Sequence, residues 1–275
     1  MNDLGIGIVG CAGRMGRALV RQVIATEGCV LVGGAEHERH PAVGEDLGKN
    51  AGLGQLGLDI GQDAVALFET ADAVLEFSAP DATTKHARMA SETKTIHIIG
   101  TTALDADHYK IISEASKSTV IVAAANMSLG VNLLRVLTQQ VSSILEDDFD
   151  IEVLETHHRY KLDSPSGTAL ALGKAAARGR GVDHDQRAIS SRDGVTEERR
   201  RGDIGYAVMR AGNVVGEHTV VFAADDERIE ISHKAGDRRI FARGAVTAAL
   251  WGRDRLPGLY DMEDVLGLRG GITSD

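Results

Sequence analysis

Between Glu155 and Thr168 the chain reads Glu-Thr-His-His-Arg-Tyr-Lys-Leu-Asp-Ser-Pro-Ser-Gly-Thr. Its adjacent histidines, His157 and His158, and the nearby Lys161 can supply protons or bind an anion. Ser164 and Ser166 are candidate helix N-caps, and Pro165 suits a first helical position. The N–H groups of Gly167 and Thr168 would then form a receptor for a carboxylate. A metal reading fails on spacing, because adjacent side chains on an extended chain point to opposite faces. His157 and Lys161 on one side fit proton transfer better. A basic surface loop with a helix cap would use the same residue types.

A second stretch, Gly10-Cys11-Ala12-Gly13-Arg14-Met15-Gly16, follows a short apolar run and opens a helical pattern. Glycines there permit a tight turn, close approach of a pyrophosphate and close packing of helix on sheet. The helix N-terminus adds free N–H groups. The spacing is G-x-x-G-x-x-G rather than G-x-G-x-x-G, and an ordinary tight strand–helix connection would also use it. Glu36 ends the next apolar run, where nucleotide-binding folds place an acidic residue on the ribose hydroxyls. His37, Glu38 and Arg39 fit a solvated loop.

The elements that would position these residues follow from periodicity. Gly5–Val9, Cys29–Ala35, Ala73–Phe77, Thr95–Ile99 and Thr119–Ala123 are apolar runs of strand length. Arg14–Glu27 and Asp105–Ser116 carry helical spacing. Such alternation predicts a parallel sheet with helices on both faces. After Asn126 the pattern changes. Ser128–Glu146 reads as a long helix, Asp150–Glu155 as a strand, Thr168–Arg178 as a helix and Asp183–Gly205 as a charged loop or extended surface. Val208–Arg210, Glu217–Ala223 and Arg228–Lys234 read as antiparallel strands, and Phe241–Trp251 as a packed helix.

Composition narrows the function classes. The 275 residues are 43% hydrophobic and 25% charged, which suits one or two globular domains. Aromatic residues make up 4%, and 30 basic against 40 acidic residues give a formal charge of −10. Nucleic-acid and anionic-membrane binding are therefore not expected. No apolar run is long enough for a membrane helix. The stretch before the glycine turn is too short for a signal peptide. Two cysteines, Cys11 and Cys29, without metal spacing, fit a reducing cytoplasm.

The two motif segments together resemble the dihydrodipicolinate reductase family, also called 4-hydroxy-tetrahydrodipicolinate reductases, in which the G-x-x-G-x-x-G spacing is normal. Glu155–Thr168 matches the family's E-x-H-H-x-x-K-x-D-x-P-S-G-T signature. Glu76-Phe77-Ser78, Gly100-Thr101-Thr102, Ala124-Ala125-Asn126-Met127-Ser128, Arg210-Ala211-Gly212, Val215-Gly216-Glu217-His218-Thr219 and Ile231-Ser232-His233-Lys234-Ala235 also match.

The resemblance implies an α/β fold with a Rossmann-like parallel-sheet nucleotide-binding domain, residues 1–127 and 238–275. It implies an α+β substrate and tetramerisation domain with a mixed open sheet, residues 128–237. NADH or NADPH would be the cofactor, a small dicarboxylate ring compound of lysine and diaminopimelate synthesis the substrate, and a homotetramer the assembly. By the same resemblance Gly10, Cys11, Ala12, Gly13, Arg14 and Met15 cradle the pyrophosphate, and Glu36 holds the ribose. Gly100, Thr101, Thr102, Ala124, Ala125, Asn126 and Met127 line the nicotinamide side. His157 is the acid/base residue and Lys161 the proton donor, while His158, Gly167 and Thr168 bind substrate.

His37, where some members carry arginine, and the charge of Glu36 predict that NADH serves at least as well as NADPH. A homoserine- or aspartate-type dehydrogenase leaves the Glu155–Thr168 signature unexplained. A non-catalytic nucleotide sensor leaves His157 and Lys161 without a task.

Overall fold

Leu4–Val9 is buried at all six positions, as a central strand covered on both faces requires. The computed structural model describes residues 2–269; Met1 and 270–275, included in the expected first domain, lie outside the described residues. The chain divides into two compact units, one up to Leu129 with Arg238–Gly267, the other Gly130–Asp237 with Leu268 and Arg269.

The first unit runs β1 (Leu4–Val9), α1 (Arg14–Ile24), β2 (Cys29–Ala35), α2 (Leu47–Ala51), β3 (Ile60–Gly61), α3 (Ala64–Thr70), β4 (Ala73–Glu76), α4 (Pro80–Thr93), β5 (Ile96–Ile99), α5 (Ala106–Ala115) and β6 (Val120–Ala123). The second contains α6 (Leu129–Ile144, entered from the first unit), β7 (Asp150–His157), α7 (Gly167–Arg180), α8 (His184–Arg187), β8 (Ala188–Ile189), β9 (Ile204–Arg210), β10 (Gly216–Ala223) and β11 (Arg228–Ala235). The chain then returns to the first unit as α9 (Arg239–Gly252), β12 (Gly258–Tyr260) and α10 (Met262–Val265).

The first sheet is parallel, with order β12-β6-β5-β4-β1-β2-β3. Strand order reverses beside β1, and doubly wound sheets bind ligands at the carboxyl ends of the strands there. One face packs Ile6 and Ile8 against Leu19 of α1 and Ala245 and Ala249 of α9. The other packs Val74 and Ile99 under Phe68, Ala87 and Ala90. Each fully buried large side chain contributes about 1.5–3 kcal/mol. The small residues of α9 let it lie close to its neighbours: a β-carbon on Gly244 would stand 1.7 Å from the Met127 carbonyl oxygen.

The second sheet is mixed, with order β11-β10-β7-β9-β8. On β7, Ile151, Val153, Glu155 and His157 are buried, while the alternate residues are half-buried or exposed. The inner phase packs Val153, Val220 and Phe222 with Leu172 and Ala176 of α7.

Three expectations change. β9 begins at Ile204 and runs parallel to β7, not antiparallel. The long connection from β7 through α7 gives the chain the crossover that parallel neighbours need. The segment expected as a loop or extended surface over 183–205 contains α8 and β8 and the start of β9. Pro165 is not the first residue of a helix: Ser166 is the N-cap, and Pro165 precedes it after a cis peptide bond.

Candidate active site

Gly10 turns the chain out of β1 with φ +71°, a left-handed conformation that favours glycine. A β-carbon on Gly16 would meet the Gly10 carbonyl oxygen at 2.1 Å, so the third glycine lets α1 close onto the turn. The N-cap is Gly13, with no side-chain cap and no acidic residue in the first turn. The first N–H groups of the helix are thus orphan donors of the kind that bind phosphate. The Ala12 amide donates to Glu36 Oε1 at 2.9 Å, which ties the carboxylate at the end of β2 to this turn. His37, Glu38 and Arg39 are exposed, as a solvated loop requires. The residue types fit a dinucleotide: a glycine path, an open helix start and one acidic group just past the end of the second strand.

Cys11 is buried, and burial with the nearby Glu36 charge pushes its thiol up to about 12. It is a packing residue, not a nucleophile.

Gly100–Thr102 follow β5, and Ala124–Met127 follow β6, at the carboxyl edge shared with Gly10 and Glu36. A β-carbon on Gly100 would lie 2.3 Å from the Phe77 ring, so the two loops interlock. Thr101 Oγ1 accepts from the Ser78 amide at 3.2 Å and from Thr83 Oγ1 at 2.9 Å. Beneath them Glu76 is fully buried, with His86 Nδ1 and His97 Nε2 each 2.7 Å from its oxygens, and with the Ser78 hydroxyl bonded to it. Burial alone would raise the Glu76 pKa, but the two imidazoles outweigh it and hold the carboxyl below its usual range.

In the second unit His157 closes β7 on its inner face, two residues from Glu155. Its Nδ1 lies 2.5 Å from Glu155 Oε2. Arg210, opposite His157 in the β7–β9 register, donates from Nη1 to Glu155 Oε2 and from Nη2 to Oε1, both at 2.9 Å. The Ser166 amide donates to Oε1 at 2.9 Å. Burial opposes the Glu155 charge, yet Arg210, His157 and the Ser166 amide overcome it and keep the carboxyl below its ordinary value. An ionised carboxylate only accepts, so His157 presents Nδ1–H to it. Burial, assisted by Lys161 and Arg210, leaves the His157 pKa lowered in spite of Glu155.

His158 follows the strand and starts a turn in which the Lys161 amide donates to the His158 carbonyl oxygen. Lys161 Nζ pairs with Asp163 at 2.8 Å, and its charge is felt at His157. Gly167 and Thr168 open α7, where Ser166 Oγ accepts from the Ala169 amide. The structure therefore brings His157, Lys161 and the start of α7 to one end of the second sheet. The cofactor candidates lie in the first unit.

Sequence reasoning assigned no role to Glu155, Arg210, His218 or Glu76. His218 sits beside His157, ring centroids 5.1 Å apart, with Nε2 at 3.3 Å from Ser166 Oγ. The available signal was a charged residue in the buried phase of a strand: Glu155 falls in step with Ile151 and Val153, and Glu76 ends a wholly buried run.

Two family models cover the chain: "Dihydrodipicolinate reductase, N-terminus" matches residues 4–127 and "Dihydrodipicolinate reductase, C-terminus" residues 130–266. The 4-hydroxy-tetrahydrodipicolinate reductase of Cereibacter sphaeroides is 52% identical over 269 residues, 98% of this chain and 100% of the relative. That of Rhodopseudomonas palustris is 49% identical over 273 residues, 99% and 100%. Among solved structures, a dipicolinate-bound dihydrodipicolinate reductase from Paenisporosarcina sp. TG-14 superposes with a TM-score of 0.72 at 21% identity, over 94% of this chain and 97% of that one, a likeness of fold.

Proposed function

The chain belongs to the dihydrodipicolinate reductase family, and we propose that it performs the family's reaction with His157 and Lys161 as the proton-transfer pair. The reaction is the NAD(P)H-dependent reduction of 4-hydroxy-tetrahydrodipicolinate in diaminopimelate and lysine synthesis. The observation that carries the residue assignment is the convergence of the His157 ring, the Lys161 charge and the capped start of α7.

The first helix and its glycine turn, Gly10–Met15, would hold the pyrophosphate and Glu36 the ribose hydroxyls. Gly100–Thr102 and Ala124–Met127 would line the nicotinamide side. Loss of the substrate's 4-hydroxyl as water conjugates the ring, and a bound nicotinamide would supply the hydride to it. The N–H groups of Gly167 and Thr168, with His158, bind the substrate carboxylates. Lys161 offers the cation that stabilises the negative charge left beside the reduced carbon, and its Nζ proton neutralises it. His157, neutral with its Nδ1–H on Glu155, keeps Nε2 as the ring nitrogen that exchanges the proton with Lys161 or the substrate.

No helix among the described residues is long and apolar enough to cross a membrane. Both thiols, Cys11 and Cys29, are free, which suits the reducing cytoplasm where this biosynthetic step belongs. The outer face of the second sheet carries Leu154 and Met209, 40% and 55% exposed, beside Val221 and Thr219. An open, part-apolar sheet face suits packing against other copies, and a homotetramer is the assembly we assign. Sedimentation of a monomer at micromolar concentration would overturn that assignment.

The test of activity is loss of NADH absorbance with the aldol-synthase product as substrate. Turnover supports the reading, and cofactor binding without turnover favours a nucleotide sensor.

A further inference from the structure

We propose that Glu155, clamped by Arg210, is the positioning residue that sets His157, the Lys161 loop and the carboxylate receptor of α7 in one arrangement. The proposal rests on the roles given above to His157, Lys161 and the start of α7.

Both oxygens of the buried Glu155 carboxylate are fully engaged. Oε2 takes the His157 Nδ1–H and Arg210 Nη1; Oε1 takes the Ser166 amide and Arg210 Nη2. The Glu155 side chain has no exposure to solvent, so water does not share these bonds. The same guanidinium Nη2 donates to the Asp163 carbonyl oxygen at 2.7 Å. Asp163 is the ion-pair partner of Lys161. Three separate pieces of chain, the end of β7, the Lys161–Asp163 loop and the entry to α7, thus meet at one carboxylate–guanidinium pair.

The pair also decides chemistry. A carboxylate at Nδ1 selects the His157 tautomer whose Nε2 carries the lone pair. Glu155 favours the imidazolium, whereas Arg210 and Lys161 disfavour it. His157 therefore sits between opposing charges whose removal moves its titration in opposite directions. The geometry required is that of an orienting group acting through the acid/base residue, since Glu155 itself is enclosed and meets no substrate.

The experiment titrates the His157 imidazole by NMR in the full-length protein, with Glu155→Gln and Arg210→Gln as variants. It also measures NADH turnover, and affinity for dipicolinate as a planar dicarboxylate probe. Glu155→Gln should lower the His157 midpoint, Arg210→Gln should raise it, and NADH affinity should stay within about twofold in both. Glu155→Gln should lose about 100-fold in turnover, in the range of a lost acid/base contribution. Its dipicolinate affinity should weaken about tenfold, through the freed Ser166 amide.

Unmoved midpoints in both variants, or wild-type turnover in Glu155→Gln, would overturn the proposal. If Glu155→Gln does not fold, the upward shift in Arg210→Gln decides alone. An inactive wild type would sink the functional reading, while the titration and dipicolinate arms would still decide the positioning role.

Discussion

His157 and Gly216 face each other on β7 and β10: a β-carbon on Gly216 would stand 3.0 Å from His157 Nε2 and 3.4 Å from Cδ2. Gly216 does not have a positive φ, so its value is space, not backbone freedom. Gly216→Ala should push the imidazole by a few tenths of an ångström. Gly216→Val should displace it further and cost about 100-fold in kcat, the usual scale for misplacing a catalytic group by about 1 Å. Steady-state kinetics on both variants check this. Unchanged kcat in Gly216→Val would mean that Nε2 has no part in the reaction.

Lys161→Ala should lower kcat about 10²–10⁴-fold and leave the NADH Kd nearly unchanged, because Lys161 belongs to the second unit and the nucleotide residues to the first. Its partner Asp163, whose pKa Lys161 lowers, would lose that depression. His157→Ala should show the same class of defect. Turnover number and NADH Kd for each variant decide the matter, and near-normal turnover in Lys161→Ala would leave His157 as the sole candidate donor.

Much of this was legible beforehand because burial leaves a pattern. β1, β4, β5 and β6 are apolar runs since both faces of the first sheet are covered, and the runs in the sequence match the strands within a residue or two at each end. β2 was read to its limits. β9 was read short: Gly205 interrupts its apolar run, and Ala207, Val208 and Met209 are apolar yet exposed. Its direction depends on a neighbour 53 positions away in register, as in Ile151↔Ile204, and no local pattern encodes that. The stretch from Asp46 to Thr70 holds two short helices and a two-residue strand, too brief for periodicity to show. At the site, His157 and Lys161 stood out by residue type. Glu155 did not, because its role lies in bonds to Arg210 on another strand and to Ser166 beyond a turn.

Gly244→Ala should destabilise the first unit and weaken NADH binding together. The added methyl would overlap the Met127 carbonyl oxygen at 1.7 Å, and that carbonyl is backbone, so α9 or the Ala124–Met127 loop must move. Overpacking of this kind costs about 1–3 kcal/mol. Thermal unfolding with and without NADH separates the two effects. A lowered Tm with an unchanged NADH Kd would remove Met127 from the cofactor site.

NADH should serve at least as well as NADPH. The Glu36 carboxylate, anchored by the Ala12 amide, can accept from both ribose hydroxyls, but its charge opposes a 2′-phosphate. Arg39, the nearby guanidinium, is exposed and lies 3.8 Å from Glu38. Glu36→Ala should therefore weaken NADH and improve NADPH relative to it. A strong NADPH preference in matched titrations of the wild type would show the carboxylate argument to be wrong.

The second sheet should lose stability on mild acidification, through His218. Burial, then the neighbouring His157, push His218 from 6.5 down to about 4, and Glu155 only partly opposes them; His233 and Lys161 add to the depression. The sign follows from proton uptake. Below pH 6.5 the unfolded chain binds a proton at His218 that the folded chain refuses, so stability is full above that pH and falls as the pH drops towards 4. The loss is about 3 kcal/mol by the end of that window. Glu76 extends the trend in the first unit: its depressed carboxyl contributes stability above its unfolded value of 4.5, lost as the pH falls through the folded one. Amide hydrogen exchange on β7 and β10, corrected for intrinsic rates, reads the His218 part locally. His218→Gln removes the titrating group and leaves an amide to meet Ser166 Oγ. The fall in opening free energy of those amides between pH 7 and 4.5 should be clearly shallower in His218→Gln than in the wild type. Equal slopes would mean that His218 takes up its proton as readily in the folded chain as in the unfolded one.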